Sequence, residues 1–269
     1  MSELDGRHQR PNATAQPQAS LSDCEAVILA GGLGTRLRSV LSDRPKPLAL
    51  VAGRPFLAWI LDMVAAAGVR RAVICTGYLA HMVEAELGRQ HGPLELWYSR
   101  EETPRGTGGA LLDALPQTSS ETILALNGDS ICLADLRQFA AEHRRRAAVA
   151  SLLLTQVDDC SRFGRVDLDT DGRVTAFVEK GGEAMPGWIN AGVYLLQRDA
   201  LLAWPSSSEP ISIERQIFPA WQNSGQLWGH AQGAAPFIDI GTPQTLAAAE
   251  GFLRRPHQEQ RLSFASQQS

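Results

Sequence analysis

An apolar run, Ala26 to Ala30, stops at Gly31-Gly32-Leu33-Gly34. A short apolar segment bounded by glycines reads as a buried strand. In an α/β sheet the ligand crevice lies at the carboxyl ends of the strands. Glycines there let backbone N–H groups approach phosphate oxygens with no Cβ in the way. Thr35, Arg36 and Lys46 come next in the same connection, and the lysine sits between Pro45 and Pro47. Prolines stiffen the backbone around them. A loop with no binding task has no need to hold a cation in that manner.

The rest of the chain supports such a sheet. Apolar and amphipathic segments alternate: a helix over Pro55–Ala67, a strand "RAVICTG", a helix over Leu79–Leu87, a strand "LELWYS", a short helix Gly108–Ala114, and a strand "TILALNGD" ending in Asp129. A helix over Leu133–Arg146 and a strand "AAVASLLLT" come after it. This βαβα order predicts a Rossmann-like, doubly wound, mostly parallel α/β sheet. The second half changes character. "FGRVDLDTDGRVTAFVEK" alternates about a central Asp-Gly and predicts an added β-hairpin. "WINAGVYLL" and "LWGHAQG" read as strands, "SIERQIFPAW" and "TPQTLAAAEGFL" as helices. Residues 1–22 and 256–269 are polar and without periodicity, so tails are expected on either side of a single domain over 23–255.

Several function classes drop out. The chain of 269 residues carries a formal net charge of −4, so no basic field calls for a nucleic acid. The run Arg144-Arg145-Arg146 ends a predicted helix, where cations suit the dipole. The four cysteines form no CxxC pair, which fits buried free thiols in a reducing compartment. No secretory leader or membrane-spanning run is present, so a cytoplasmic protein is expected. Walker A needs Gly-Lys, which does not occur, and a dinucleotide fingerprint needs glycine where Leu37 stands.

The segments "LAGGLGTRL" and "RPKPL" resemble the opening of the sugar-phosphate nucleotidyltransferases. Between them, "LRSVLSDRPKPL" is similar to the D-glycero-α-D-manno-heptose 1-phosphate guanylyltransferases within that family. The resemblance covers Glu25 to Leu253 and implies transfer of GMP from GTP to a sugar 1-phosphate, for a bacterial surface glycan. It implies the family's nucleotidyltransferase fold, a nucleotide site from Ala30, Gly31, Gly32, Gly34, Thr35, Gly106, Thr107, Asn127 and Gly128, and catalytic roles for Arg36, Lys46 and Asp129. It also implies Mg²⁺ on Asp129 and Asp239, and a sugar-phosphate site from Gly164, Glu179, Lys180, Asn190 and Gly192.

The residues add chemistry of their own. Mg²⁺ is commonly held by one or two carboxylates plus substrate phosphates. Asp129 ends a strand at the ligand edge, although a helix N-cap would look the same. Asp239, in "FIDIGTP", could equally be a turn residue. Glu101, or its neighbour Glu102, favours guanine: one carboxylate can accept from N1–H and N2–H₂ together, whereas pyrimidine carbonyls would repel it. The nucleophile is a phosphate oxygen, already anionic, so no general base is needed. A hexose 1-phosphate with GTP, UTP or dTTP, and an inactive sugar-nucleotide-binding regulator, stay open as alternatives. Nothing in the residues decides between a monomer and a homo-oligomer.

Overall fold

The computed structural model describes residues 20–32, 34–37, 40–41, 43–178 and 184–266, and of 255–266 the backbone alone. The glycine-ended run forms β1 (Glu25–Leu29). A 3-10 turn at Lys46–Leu48 leads into a small hairpin, β2 (Leu50–Val51) and β3 (Arg54–Pro55), then α1 (Phe56–Ala66). Next come β4 (Arg71–Thr76), α2 (Ala80–Leu87), β5 (Gln90–His91), β6 (Leu94–Arg100), α3 (Gly106–Ala114) and β7 (Thr122–Asn127). Strands β7, β1, β4 and β6 lie side by side and parallel. Both faces of β7, β1 and β4 are buried, whereas the outer β6 buries one face only. Ala26 and Ile28 join one core with α1, while Val27 joins a second core with α3. A sheet covered by helices on both faces is the doubly wound arrangement that the alternation predicts.

The chain continues through β8 (Ser130–Cys132), α4 (Leu136–Arg145), β9 (Ala150–Val157), and the hairpin β10 (Arg165–Leu168) with β11 (Val174–Val178). The long β12 (Gly187–Gln197) runs antiparallel to β7 on one side and to β9 on the other. It thereby joins the hairpin region to the parallel sheet in one mixed sheet. After it come α5 (Arg198–Leu202), a π-type turn at Ile213–Ile217, α6 (Phe218–Asn223), β13 (Leu227–Ala231), β14 (Phe237–Asp239) and α7 (Pro243–Ser266).

Three boundaries differ from expectation. The helix expected from Leu133 begins at Leu136, because Asp135 caps it by accepting from Arg137 N and Gln138 N at 2.9 and 3.0 Å. Just before the residues so freed, Ser130–Cys132 pair with Phe237–Asp239, over a hundred residues away in sequence. Composition places the end of the N-terminal tail at residue 22, yet Leu21 is fully buried and its N–H donates to Ala67 O. Residues 1–19 lie outside the described residues. At the other end, α7 continues to Ser266, past the expected limit at Arg255. Ala249 and Leu253 anchor its earlier turns in the core, and extending a formed helix needs only one bond per added residue.

The arginine run is fully engaged. Arg144 pairs with Asp23, and Arg145 and Arg146 both pair with Glu142. All four cysteines are free and buried. No helix among the described residues is long and apolar enough to cross a membrane.

Candidate active site

Two cavities open at the carboxyl edge of the parallel strands, and they share one wall. The first, about 300 Å³, is lined by Ala30, Gly31 and Gly32 after β1, by Asn127 and Gly128 after β7, by Glu101 after β6, and by Gly106 and Thr107 at the start of α3. These are short connections leaving parallel strands, so adjacent strands bring them together. Gly128 N donates to Leu29 O at 2.9 Å, which closes the gap between β7 and β1. A Cβ on Gly31 would stand 2.6 Å from Glu101 Oε2, so the glycine is what lets this carboxylate reach the cavity floor. Glu101 Oε1 accepts from Arg105 N at 3.3 Å. Burial pushes the Glu101 carboxyl above the usual range, partly offset by that bond. Both glutamates line an outer pocket with Gly31, Tyr78 and Thr103, but of the two Glu101 alone also lines the glycine-loop cavity.

The second cavity, about 460 Å³, lies under the hairpin. Gly164, Asn190, Gly192 and Asp239 line it, as does Arg36. Gly34 and Thr35 line neither cavity, and Glu179 and Lys180 lie outside the described residues. Asn190 is held at both ends: its Oδ1 accepts from Gly192 N and its Nδ2 donates to Tyr194 Oη, each at 2.9 Å. The pairing of β12 with β9 slips between Asn190 and Tyr194, a bulge that lifts Gly192. Gly192 has φ +72°, and a Cβ there would lie 2.8 Å from Asn127 Nδ2 and from Ser130 Oγ. This bulge therefore presses directly beneath the residues around Asp129.

The wall between the cavities consists of Lys46, Asn127 and Asp129, which line both. Lys46 Nζ donates to Asp129 Oδ2 at 2.6 Å, and its side chain is only 13% exposed. Pro45 enters in extended conformation and Pro47 sits in the first turn, so the lysine leaves a fixed backbone. The pairing of β8 with β14 carries Asp239 to the same place, and Ile240 N donates to Asp129 O at 2.9 Å. Asp239 Oδ1 accepts from Gly241 N at 2.7 Å. The other oxygen of each aspartate has no hydrogen-bond partner among the described residues.

Sequence reasoning missed a group of residues in the hairpin cavity: Arg162, Phe163, Phe177, Ser212, Glu214, Phe237 and Thr242. Phe163 and Phe237 meet edge to face at 5.5 Å. Ser212 and Glu214 look like an ordinary helix start, and Ser212 Oγ does accept from Arg215 N. Only the three-dimensional pairing shows that they also face a cavity.

Residues 25–255 match the nucleotidyl transferase family. The chain belongs to that family. It is 37% identical over 234 residues to a mannose-1-phosphate guanylyltransferase of Mycobacterium tuberculosis, which covers 86% of this chain and 65% of that one. It is also 37% identical over 226 residues to a D-glycero-alpha-D-manno-heptose 1-phosphate guanylyltransferase of Aneurinibacillus thermoaerophilus, covering 84% of this chain and 96% of that one. The chain thus spans less than two thirds of the mycobacterial relative and nearly all of the other. Among solved structures, HddC from Yersinia pseudotuberculosis superposes with a TM-score of 0.75 at 31% identity, over 85% of this chain and 98% of that one. HddC has also been solved complexed with GMP-PN. The family membership agrees with the fold: a mainly parallel core flanked by helices.

Proposed function

We propose that the chain is a sugar 1-phosphate guanylyltransferase, transferring GMP from GTP and releasing pyrophosphate. The observation that carries this reading is the shared wall. Two substrate-sized cavities meet at a largely covered lysine and an aspartate, which is what joining two phosphorylated substrates requires. GTP takes the glycine-loop cavity, with guanine against Glu101 and the phosphates reaching Lys46. The sugar takes the hairpin cavity, and its phosphate meets the α-phosphorus at the wall. Holding both in line replaces an encounter with an intramolecular step. Lys46 neutralises charge that grows on the α-phosphate, the kind of preorganised contact that lowers the barrier most.

The donor set at the wall fits a divalent cation. Asp129 and Asp239 each keep one carboxylate oxygen unpartnered among the described residues, and both are hard ligands of the kind Mg²⁺ prefers. Bound there with phosphate oxygens, Mg²⁺ would supply charge neutralisation and alignment of the leaving pyrophosphate. Lys46 holds Asp129 in the absence of substrate and gives it up as the phosphates arrive. Arg36, on the hairpin side, adds positive charge at the mouth.

The relatives' names agree on a manno-configured ring, as mannose or as manno-heptose, and we assign that class to the acceptor. The heptose is the first choice, on the resemblance of the Leu37–Leu48 segment, and mannose 1-phosphate is the second reading. A cytoplasmic enzyme making GDP-sugar for a capsule, lipopolysaccharide or S-layer is the role that the same resemblance supports. The deciding assay is pyrophosphate release with Mg²⁺ across GTP, ATP, CTP, UTP and dTTP, against heptose, mannose and glucose 1-phosphates. Release confined to GTP with a manno sugar is the expected result. Release with another nucleotide overturns the role given to Glu101, and no release with any pair overturns the enzyme.

A further inference from the structure

The wall between the cavities has a second polar link, away from Lys46. The segment before α6 docks on the start of α3. Ile211 N donates to Arg105 O at 2.8 Å, and Ile211 O accepts from Gly108 N at 2.8 Å and Gly109 N at 3.2 Å. Thr107 then bonds across in both directions: its hydroxyl accepts from Ile213 N at 3.0 Å and donates to Glu214 Oε2 at 2.8 Å. Ser212 Oγ donates to the same Oε2 at 3.1 Å. Thr107 lines the glycine-loop cavity, whereas Ser212 and Glu214 line the hairpin cavity.

All of the bonds to Glu214 fall on one oxygen. Oε1 accepts from no described residue and is not among the buried side-chain atoms that lack a partner, so it is accessible, on a residue that lines the cavity. A carboxylate can only accept. One oxygen is fixed by two hydroxyls and the other is presented to a space lined by Asn190 and three phenylalanines. That is the shape of a prepared acceptor for a hydroxyl. Its charge repels a phosphate, so it suits the hydroxylated end of a sugar phosphate and not the anionic end.

We propose that Glu214 is the sugar-reading acceptor of this protein, presenting Oε1 to a ring hydroxyl of the sugar 1-phosphate, with Thr107 as the positioning residue that holds it from the nucleotide side. The proposal rests on the guanylyltransferase reading of the same cavities. Removing the acceptor leaves a sugar hydroxyl facing a donor, while the cavity keeps its shape.

The test is steady-state kinetics on the full chain with GTP and Mg²⁺, varying the wild type's preferred sugar 1-phosphate and its monodeoxy analogues. Glu214→Gln keeps the volume and turns the open atom into a donor. It should raise the KM for the sugar phosphate by about 10–100-fold, the span of a lost hydrogen bond to a charged group. The KM for GTP should stay within about twofold, because no bond to the nucleotide is removed. One deoxy analogue should be discriminated by the wild type and no longer by Glu214→Gln, since a site that reads a hydroxyl rejects the analogue lacking it. Thr107→Val should weaken sugar binding in the same direction, and Thr107→Ser, which keeps the hydroxyl, should restore it. Thermal melts of each variant confirm folding. An unchanged sugar KM in Glu214→Gln, an equal rise in the KM for GTP, or surviving discrimination of every analogue overturns the proposal while leaving the enzyme reading intact. A wild type that turns over no pair overturns both.

Discussion

The glycine-loop cavity and the hairpin cavity share three residues but are built in different ways. The first is made of the connections that leave parallel strands: Ala30 to Gly32 after β1, Glu101 after β6, Asn127 and Gly128 after β7. Four of its lining residues are glycines, which offer backbone alone, and each part arrives by a short local connection. The second is made of side chains from distant segments, among them Phe163 before β10, Asn190 in β12, Glu214 before α6 and Phe237 in β14. Antiparallel pairing and a bulge bring these together. Backbone-built binding suits phosphates, which are the same in every nucleotide. Side-chain-built binding suits a sugar, whose hydroxyls must be told apart.

The sharpest break of this comparison is at the residues that belong to both cavities. Lys46→Ala should lower kcat/KM by about 10²–10³, the usual cost of one preorganised charge contact. Asp129→Ala should fall in the same range. Both should act on kcat without favouring either substrate's KM. A loss confined to the KM of one substrate would mean that the wall belongs to that cavity alone.

Next in size is the bulge. Gly192→Ala places a Cβ at φ +72°, against Asn127 and Ser130. The left-handed backbone alone costs an alanine roughly 1–2 kcal/mol, and the atoms that must give way are site side chains. We expect a lower melting temperature together with a rise in the sugar KM larger than that for GTP. Equal effects on both substrates would show that the bulge serves the sheet and not the hairpin cavity.

The same contrast explains what could be read from the chain directly. The glycine loop, Lys46 between its prolines, and Asp129 at a strand end are local patterns, and their spacing is what led to the proposal of a phosphate site. The parallel core comes from alternation alone, since β1, β4 and β7 are apolar runs set between helices and β6 alternates. Ser130–Cys132 was not legible as a strand, because its only strand partner among the described residues is Phe237–Asp239. Nothing local marks it as one, and only the Asp135 cap separates it from the helix beyond. Asp239 was legible as a carboxylate, but the reason it reaches Asp129 was not. Glu214 carries no local mark, and its link to Thr107 spans two segments far apart in sequence. Residues that work through long-range pairing leave their signal in the partner, and a single chain read in order does not show partners.

The smallest expected effect separates the cavities by pH. In the proposed role Glu101 would accept from guanine only as a carboxylate, and its pKa is raised, first by burial and further by nearby Asp113, against the Arg105 N–H bond. A raised pKa means that the proton returns at a higher pH than on an exposed glutamate. As pH falls through that pKa the acceptor is lost, so the KM for GTP should climb on the acid side while the sugar KM changes less. The change should be a few-fold, the worth of one modest hydrogen bond, about 1 kcal/mol. Glu101→Gln removes the titration and should flatten the acid limb of the GTP profile, at a KM already raised at neutral pH. An acid limb that persists unchanged in Glu101→Gln would assign it to another group and leave the glycine-loop cavity without its base-reading side chain.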